Sequence, residues 1–170
     1  MNNPIIIAID AMGGDNSPDK VIEGINIHSK STSNVKYKVF GNENLIQPLI
    51  KKYNISTNII KLIHTDKVVE GEDSALSAAK KGKDTSLWLA IETLKNDEAD
   101  AIVSAGNTGA LFLISKLNLK MIENIDKPAL SAIWPSKKGM NVVLDLGANI
   151  ECNKKNLVDF SIMGSALHRA

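Results

Sequence analysis

The sequence predicts an α/β fold, with three layers around a largely parallel sheet, and residues 1–170 forming a single α/β domain. Three observations predict it. A continuous apolar run at residues 5–9 marks a strand covered on both faces, the short apolar run at 101–105 has the bounds of a buried strand, and 36–40 reads as another strand. Segments with apolar residues at helical spacing lie between such runs, and strands alternating with helices indicate βαβ units. Closely spaced glycines follow the runs at 5–9 and 101–105, where a strand must turn sharply into a helix.

The elements follow in order. The strand at 5–9 ends in the polar loop Asp10-Ala11-Met12-Gly13-Gly14-Asp15-Asn16. Ser17 is placed as an N-cap, with Pro18 at the first helical position and Asp19 favouring the helix dipole. Val21, Ile22 and Ile25 continue one face of that helix. The strand at 36–40 is ended by Gly41. Leu45, Ile46, Leu49, Ile50 and Tyr53 then repeat at helical spacing, with Pro48 tolerable only near the helix start. Residues 59–64 form a third strand, 65–73 a charged loop, and 74–83 a short basic helix. Asp84-Thr85-Ser86 caps another helix, with Leu87, Ile91 and Leu94 as its stripe. The strand at 101–105 turns through Gly106-Asn107-Thr108-Gly109 into a buried helix containing Ala110, Leu111, Phe112, Leu113, Ile114 and Leu117. A linker over 118–127 precedes two more strands, 128–134 and 141–146, separated by a turn at 135–139. A helix over 157–170 ends the sequence.

Composition narrows the function. The formal net charge is +1, from 20 basic and 19 acidic residues, which argues against bulk nucleic-acid binding. Aromatic residues are only 4%, too few for a platform that stacks single-stranded bases. A lone cysteine, Cys152, excludes an internal disulfide framework and fits a reducing compartment. Neither a membrane-spanning run nor a signal peptide is expected. His28, His64 and His168 are scattered without ligand spacing, so no metal site is expected. Cys152 reads as a buried or incidental thiol rather than an acyl-carrying nucleophile, because nothing beside it in sequence activates it.

The candidate site is sought beyond the carboxyl ends of the strands, where open parallel sheets bind ligands. Three polar loops follow predicted strands: 10–16, 106–109 and 145–149. They are expected to converge at one sheet edge. A glycine turn leading into a helix aims backbone N–H groups at one point, and the dipole behind them favours a phosphate or carboxylate. Thr108 adds a hydroxyl and Asn107 an amide. The alternative is a tight turn in which Asn107 or Thr108 is simply the N-cap. Asp10 and Asp145, both at predicted strand ends, either orient loop amides or cap their own loops as Asx turns, with capping favoured because anions repel phosphate. The lysines at 80, 81, 83, 137, 138, 154 and 155 read as solvated charges, one patch of which suits an acidic partner.

Several segments together resemble the bacterial phosphate acyltransferases of phospholipid synthesis. They are Ile7-Ala8-Ile9-Asp10-Ala11-Met12-Gly13-Gly14-Asp15 and Ser104-Ala105-Gly106-Asn107-Thr108-Gly109-Ala110-Leu111. Ile125-Asp126-Lys127-Pro128-Ala129 and Val143-Leu144-Asp145-Leu146-Gly147-Ala148-Asn149 follow, then Leu157-Val158-Asp159-Phe160 with Met163-Gly164-Ser165. The resemblance covers nearly the whole chain but about the first half of a family member, so the fold would be a truncated form of one similar to the isocitrate and isopropylmalate dehydrogenases. It implies a cytoplasmic homodimer without cofactor, in reversible contact with the membrane. Such an enzyme moves a fatty acyl group from acyl carrier protein to inorganic phosphate. On that reading Asn107 and Asp10 are the catalytic candidates. Gly13, Gly14, Gly106, Thr108, Gly109, Asp145 and Asn149 are the candidates for binding phosphate or substrate. Two departures weaken the implied carrier dock: Ser74 stands in the family's proline region, and Ala78, Ala79 and Gly82 dilute the basic run before Thr85-Ser86.

Two other readings compete. One is a metal-dependent dehydrogenase of the related fold, with Asp10, Asp145 and Glu151 as ligands. The other is a phosphate- or carrier-binding remnant without activity. The last helix carries a broad apolar face, formed by Leu157, Phe160, Met163, Gly164 and Leu167 and thickened by Val158, Ile162 and Ala166. Residues 1–170 alone are therefore expected to be inactive and to self-associate.

Overall fold

A computed structural model describes residues 3–170. The chain divides into two compact units, one running to Leu119 and the other covering Lys120–Ala170. In the first unit the strands are β1 (Ile5–Asp10), β2 (Val35–Gly41), β3 (Ile60–His64) and β4 (Ala101–Ser104). They pair in parallel, in the order β3-β2-β1-β4. The helices of this unit are α1 (Asp19–Ser31), α2 (Glu43–Lys52), α3 (Ala75–Lys80), α4 (Ser86–Lys95) and α5 (Thr108–Asn118).

Period-two alternation in the strands sorts the core into two layers. Ile9, Tyr37 and Val39 pack with Ile22 and Ile25 of α1 and Ile46 of α2 on one side of the sheet. Ala8 and Phe40 pack with Ala90 of α4 on the other, joined by Ile6, Ile63 and Ile102. Leu87, Trp88 and Ile91 of α4 also share a cluster with Ala110 and Ile114 of α5 and Ala78 of α3. The three-layer α/β architecture is thus the predicted one. The α1 side is only part covered: over β4 it carries no helix among the described residues, and Val103 is 52% exposed. A cavity of about 420 Å³ lies there, lined by Ile7, Ile9, Val21, Ile25 and Val103.

The second unit holds β5 (Ser131–Ser136), β6 (Gly139–Leu144) and α6 (Lys154–Arg169). The two strands form an antiparallel hairpin separate from the four-stranded sheet. A short turn with Gly139 at φ +127° joins them, and so brief a connection can only double the chain back. This corrects the expected meeting of three loops at one sheet edge. Two of them leave the parallel sheet, whereas 145–149 leaves an antiparallel ribbon.

Three helix details also differ from expectation. Ser17 does not cap α1, which begins at Asp19; its hydroxyl instead donates to the Gly13 carbonyl at 2.6 Å. Pro48 lies in the interior of α2, where it leaves the carbonyl of exposed Asn44 without its helical donor. Helix α6 begins at Lys154, three residues early, because Asn153 and Asn156 form a reciprocal capping box. Its covered line runs through Asn156, Asp159 and Phe160, while Leu157, Val158, Ile162 and Leu167 stay exposed.

Candidate functional site: a glycine-lined crevice between two strand ends

The order of the sheet reverses at β1, and α1 and α5 follow β1 and β4 on opposite faces, which makes their ends the switch point where open parallel sheets have their ligand crevice. Asp10 and Ser104 are register partners there. Asp10 is 3% exposed, and its two oxygens are both used. Oδ2 accepts from the Ser104 hydroxyl at 2.8 Å, and Oδ1 accepts the Met12 N–H at 3.2 Å. The second bond closes an Asx turn, the capping role weighed for this residue. Ser104 Oγ in turn accepts the Gly106 N–H at 3.2 Å, so one buried carboxylate shapes the backbone of both loops. A hydrogen bond to a charged group contributes about 1.5–3 kcal/mol, enough to fix this corner.

The two loops touch backbone to backbone. A Cβ on Gly13 would lie 2.6 Å from Asp10 Oδ2 and 2.9 Å from the Gly106 nitrogen. One on Gly106 would lie 3.0 Å from the Gly13 Cα. Gly14 sits at φ +93°, and a Cβ there would lie 2.5 Å from the Ala105 carbonyl oxygen. Only glycine allows this approach and that backbone angle. The structure therefore brings Asp10, Gly13, Gly14 and Gly106 together.

The crevice leads into the start of α5. Asn107 is its N-cap: Oδ1 accepts the Ala110 N–H at 2.9 Å. Its amide nitrogen donates to the carbonyls of Gly71, at 2.9 Å, and Asp73, at 2.7 Å. The carboxamide is thus engaged at both ends by the protein, and it ties the β3–α3 connection to α5. First-turn N–H groups find no carbonyl within their own helix. The Asn107 side chain takes that of Ala110, while Thr108 and Gly109, both exposed, present theirs at the helix start. Cap and anion-binding turn are compatible here, because the cap uses one donor and leaves two.

Asp145 and Asn149 belong to the second unit. Asp145, at φ +57°, accepts from the Asn149 N–H at 3.2 Å and from its amide nitrogen at 2.8 Å. Asn149 also donates to the Pro128 carbonyl at 2.9 Å. These bonds close the 145–149 loop on itself. Cys152 is exposed rather than buried, and its thiol donates to Asp145 at 3.4 Å. Local desolvation and the Asp145 carboxylate push that thiol up, which keeps it protonated and a poor nucleophile.

Two of the lysines read as solvated charges are engaged. Lys155 bonds to Asp159 and the Asn124 carbonyl, both at 2.8 Å, and bridges to Asp126 at 3.1 Å. Lys81 pairs with Asp73. Ser104 and the 70–73 turn were absent from the sequence-based site. The equal strand positions of Asp10 and Ser104 were the available signal for the first, and a pairing read from β4 to β1 would have found it.

Comparison with known proteins follows the same outline. Residues 5–170 match the family model described as fatty acid synthesis protein. The phosphate acyltransferase of Pelagibacter ubique is 61% identical over 170 residues, spanning 100% of this chain and 50% of that protein. That of Rhodospirillum rubrum is 43% identical over 169 residues, spanning 99% and 48%. The chain therefore spans about half the length of the curated relatives it matches. Among solved structures, the EutD phosphotransacetylase from Staphylococcus aureus superposes with a TM-score of 0.62 at 15% identity. It covers 94% of this chain and 51% of that one, a likeness of fold. With its parallel sheet, its glycine-lined crevice and relatives named phosphate acyltransferase, the chain belongs to the fatty acid synthesis protein family.

Proposed function

We propose that this chain forms the phosphate side of an acyltransferase site, where inorganic phosphate attacks a fatty acyl thioester carried by acyl carrier protein. The observation behind this reading is the first turn of α5, open to solvent at the mouth of a crevice that only glycine backbones could form. Phosphate is already ionised near neutral pH, so its oxygen needs no strong base to attack the thioester carbon. The new C–O bond gives a tetrahedral oxyanion, which collapses by breaking the C–S bond. The leaving thiol, with an intrinsic pKa of roughly 8.5, departs without much acid assistance. What the protein must supply is position and oxyanion donors.

In this proposal Thr108 and Gly109 present N–H donors and the Thr108 hydroxyl adds another, while Gly106, whose N–H is bonded to Ser104 Oγ, lines the approach without a side chain. Gly13 and Gly14 keep side chains out of the approach. Asp10 and Asn107 act by holding the donors in place, since their own polar atoms bond to protein. Asp145 and Asn149 hold the 145–149 loop in shape. The acyl carrier protein donor, the link to phospholipid synthesis, a cytoplasmic homodimer and reversible membrane contact rest on the resemblance of the motifs. Among the described residues no helix is long and apolar enough to cross a membrane.

The test has two arms. Titrating the ¹⁵N-labelled chain with phosphate should shift the amides of Thr108 and Gly109, with chloride at equal ionic strength as control. In the second arm these residues replace the matched half of the Pelagibacter ubique relative. That fusion should release carrier thiol only when phosphate is present and yield an acyl phosphate that hydroxylamine traps. Unmoved amides, or thiol release independent of phosphate, would overturn the proposal.

A further inference from the structure

The basic segment after α3 is tied into the site by a chain of contacts. The Lys81 N–H bonds to the carbonyls of Ser77 at 3.0 Å and Ala78 at 3.2 Å, which anchors its backbone to the end of α3. Its ammonium reaches back to the Asp73 carboxylate, one residue before the α3 N-cap. The same carboxylate oxygen accepts the Glu70 N–H at 2.8 Å, and the Asp73 N–H donates to the Glu70 carbonyl at 3.2 Å. Asp73 thereby closes the 70–73 turn. That turn presents two carbonyls, of Gly71 and Asp73, to the Asn107 amide nitrogen. A carboxamide is planar, so two acceptors on one end fix where the other end points. The other end caps Ala110, beside the open donors of Thr108 and Gly109.

We propose that Lys81 is a positioning residue for the anion-binding turn: it holds Asp73 and the 70–73 turn, which orient Asn107 and so the first turn of α5. The inference rests on reading that turn as the phosphate site. Lys81 acts through Asp73 and Asn107, with its ammonium committed to a carboxylate. A partly exposed ion pair contributes little to global stability, so the effect belongs to the site rather than to the melting temperature.

The experiment compares the 170-residue chain with its Lys81→Met, Lys81→Arg, Asp73→Ala and Lys83→Met variants. Two quantities are read by NMR: hydrogen exchange of the Asn107 side-chain amide, and phosphate affinity from the Thr108 and Gly109 amides. Lys81→Met should speed Asn107 exchange at least fivefold and weaken phosphate binding at least threefold. Lys81→Arg should restore both, and Lys83→Met should change neither. Asp73→Ala separates positioning from simple charge attraction. It frees a lysine near the site, so attraction alone would tighten phosphate binding, whereas positioning weakens it. Parent-like Asn107 exchange in Lys81→Met, or tighter binding in Asp73→Ala, overturns the inference. A parent chain that binds no phosphate would instead overturn the functional reading, and Asn107 exchange would still decide the role of Lys81. Exchange of the β1 and β2 backbone amides verifies that each variant is folded.

Discussion

Gly13 and Gly106 meet where neither can carry a side chain, so the crevice depends on two missing Cβ atoms. Gly13→Ala would press a methyl onto a buried carboxylate and a backbone nitrogen. The loops must then separate, at an overpacking cost of about 1–3 kcal/mol. Urea denaturation should register that loss, and phosphate binding should fail. A variant as stable as the parent would show that the loops yield more freely than their contact suggests. Asn107 carries three hydrogen bonds on one carboxamide. Replacing an Asn cap by Ala costs about 1 kcal/mol of stability, and the lost tethers add to it. Asn107→Ala should therefore weaken phosphate binding about tenfold, or about 1.4 kcal/mol, by isothermal titration. An unchanged affinity would remove Asn107 from the support of the site. In the sequence Asn107 was visible both as a cap and as a site residue. Its partners Gly71 and Asp73 were not, since they lie more than thirty positions away with no pattern linking them.

Local rules predicted an element well wherever its ends are built from neighbouring residues. Thr85 caps α4 through its own side chain, as the Asp84-Thr85-Ser86 segment before an apolar stripe implied, and Ser74, read as the first residue of its helix, is instead the N-cap of α3. Gly82, at φ +101°, follows the end of α3 earlier than composition suggested. The rules failed where a distant contact competes. Ser17 could cap α1 locally, but its hydroxyl is drawn to Gly13 by the crevice loop. Within α1, Gly24 has open space where a Cβ would stand. Gly24→Ala should stabilise the chain by up to about 1 kcal/mol, from helix propensity alone. A raised urea midpoint with unchanged slope would show it, and a fall would reveal an unseen neighbour. The 70–73 turn carries a pH prediction. Lys81, then the Glu70 N–H, holds the Asp73 carboxyl below the ordinary carboxylate range against its partial desolvation, and Ser77 adds a weaker bond. A folded value below the unfolded one stabilises the turn above about pH 4 and is lost as pH falls through the folded value. Asn107 exchange should thus accelerate only in acid, and Lys81→Met should move that onset to higher pH. An onset at the same pH in both proteins would show that the ion pair does not govern the turn.

Apolar periodicity records which faces are covered, not which strands are neighbours, and so the fold class was readable while the order β3-β2-β1-β4 was not. The same limit hid the hairpin, because β5 and β6 read as two more strands until the short turn between them is recognised as a reversal. Covered faces also say what the chain leaves bare. A parallel sheet is ordinarily covered on both sides, yet Val103 and the cavity beside it stand open next to β4. In the second unit Ile133, Trp134 and Met140 of the hairpin are exposed, as are Leu157, Val158 and Ile162 of α6. Monomeric proteins seldom expose contiguous apolar patches beyond a few hundred Å². The 170-residue chain should accordingly self-associate as its concentration rises, seen as growing mass in light scattering. The two tryptophans report where: Trp88 is buried, whereas Trp134 is 60% exposed. Association through the hairpin should shift the Trp134 emission to the blue while leaving Trp88 unaffected, a distinction that Trp88→Phe isolates. Ile162→Lys and Ile133→Lys, which add charge to exposed positions, should lower the associated mass without unfolding the chain. A monomer at every accessible concentration, with Trp134 emitting as in water throughout, would show that these surfaces are too scattered to drive association.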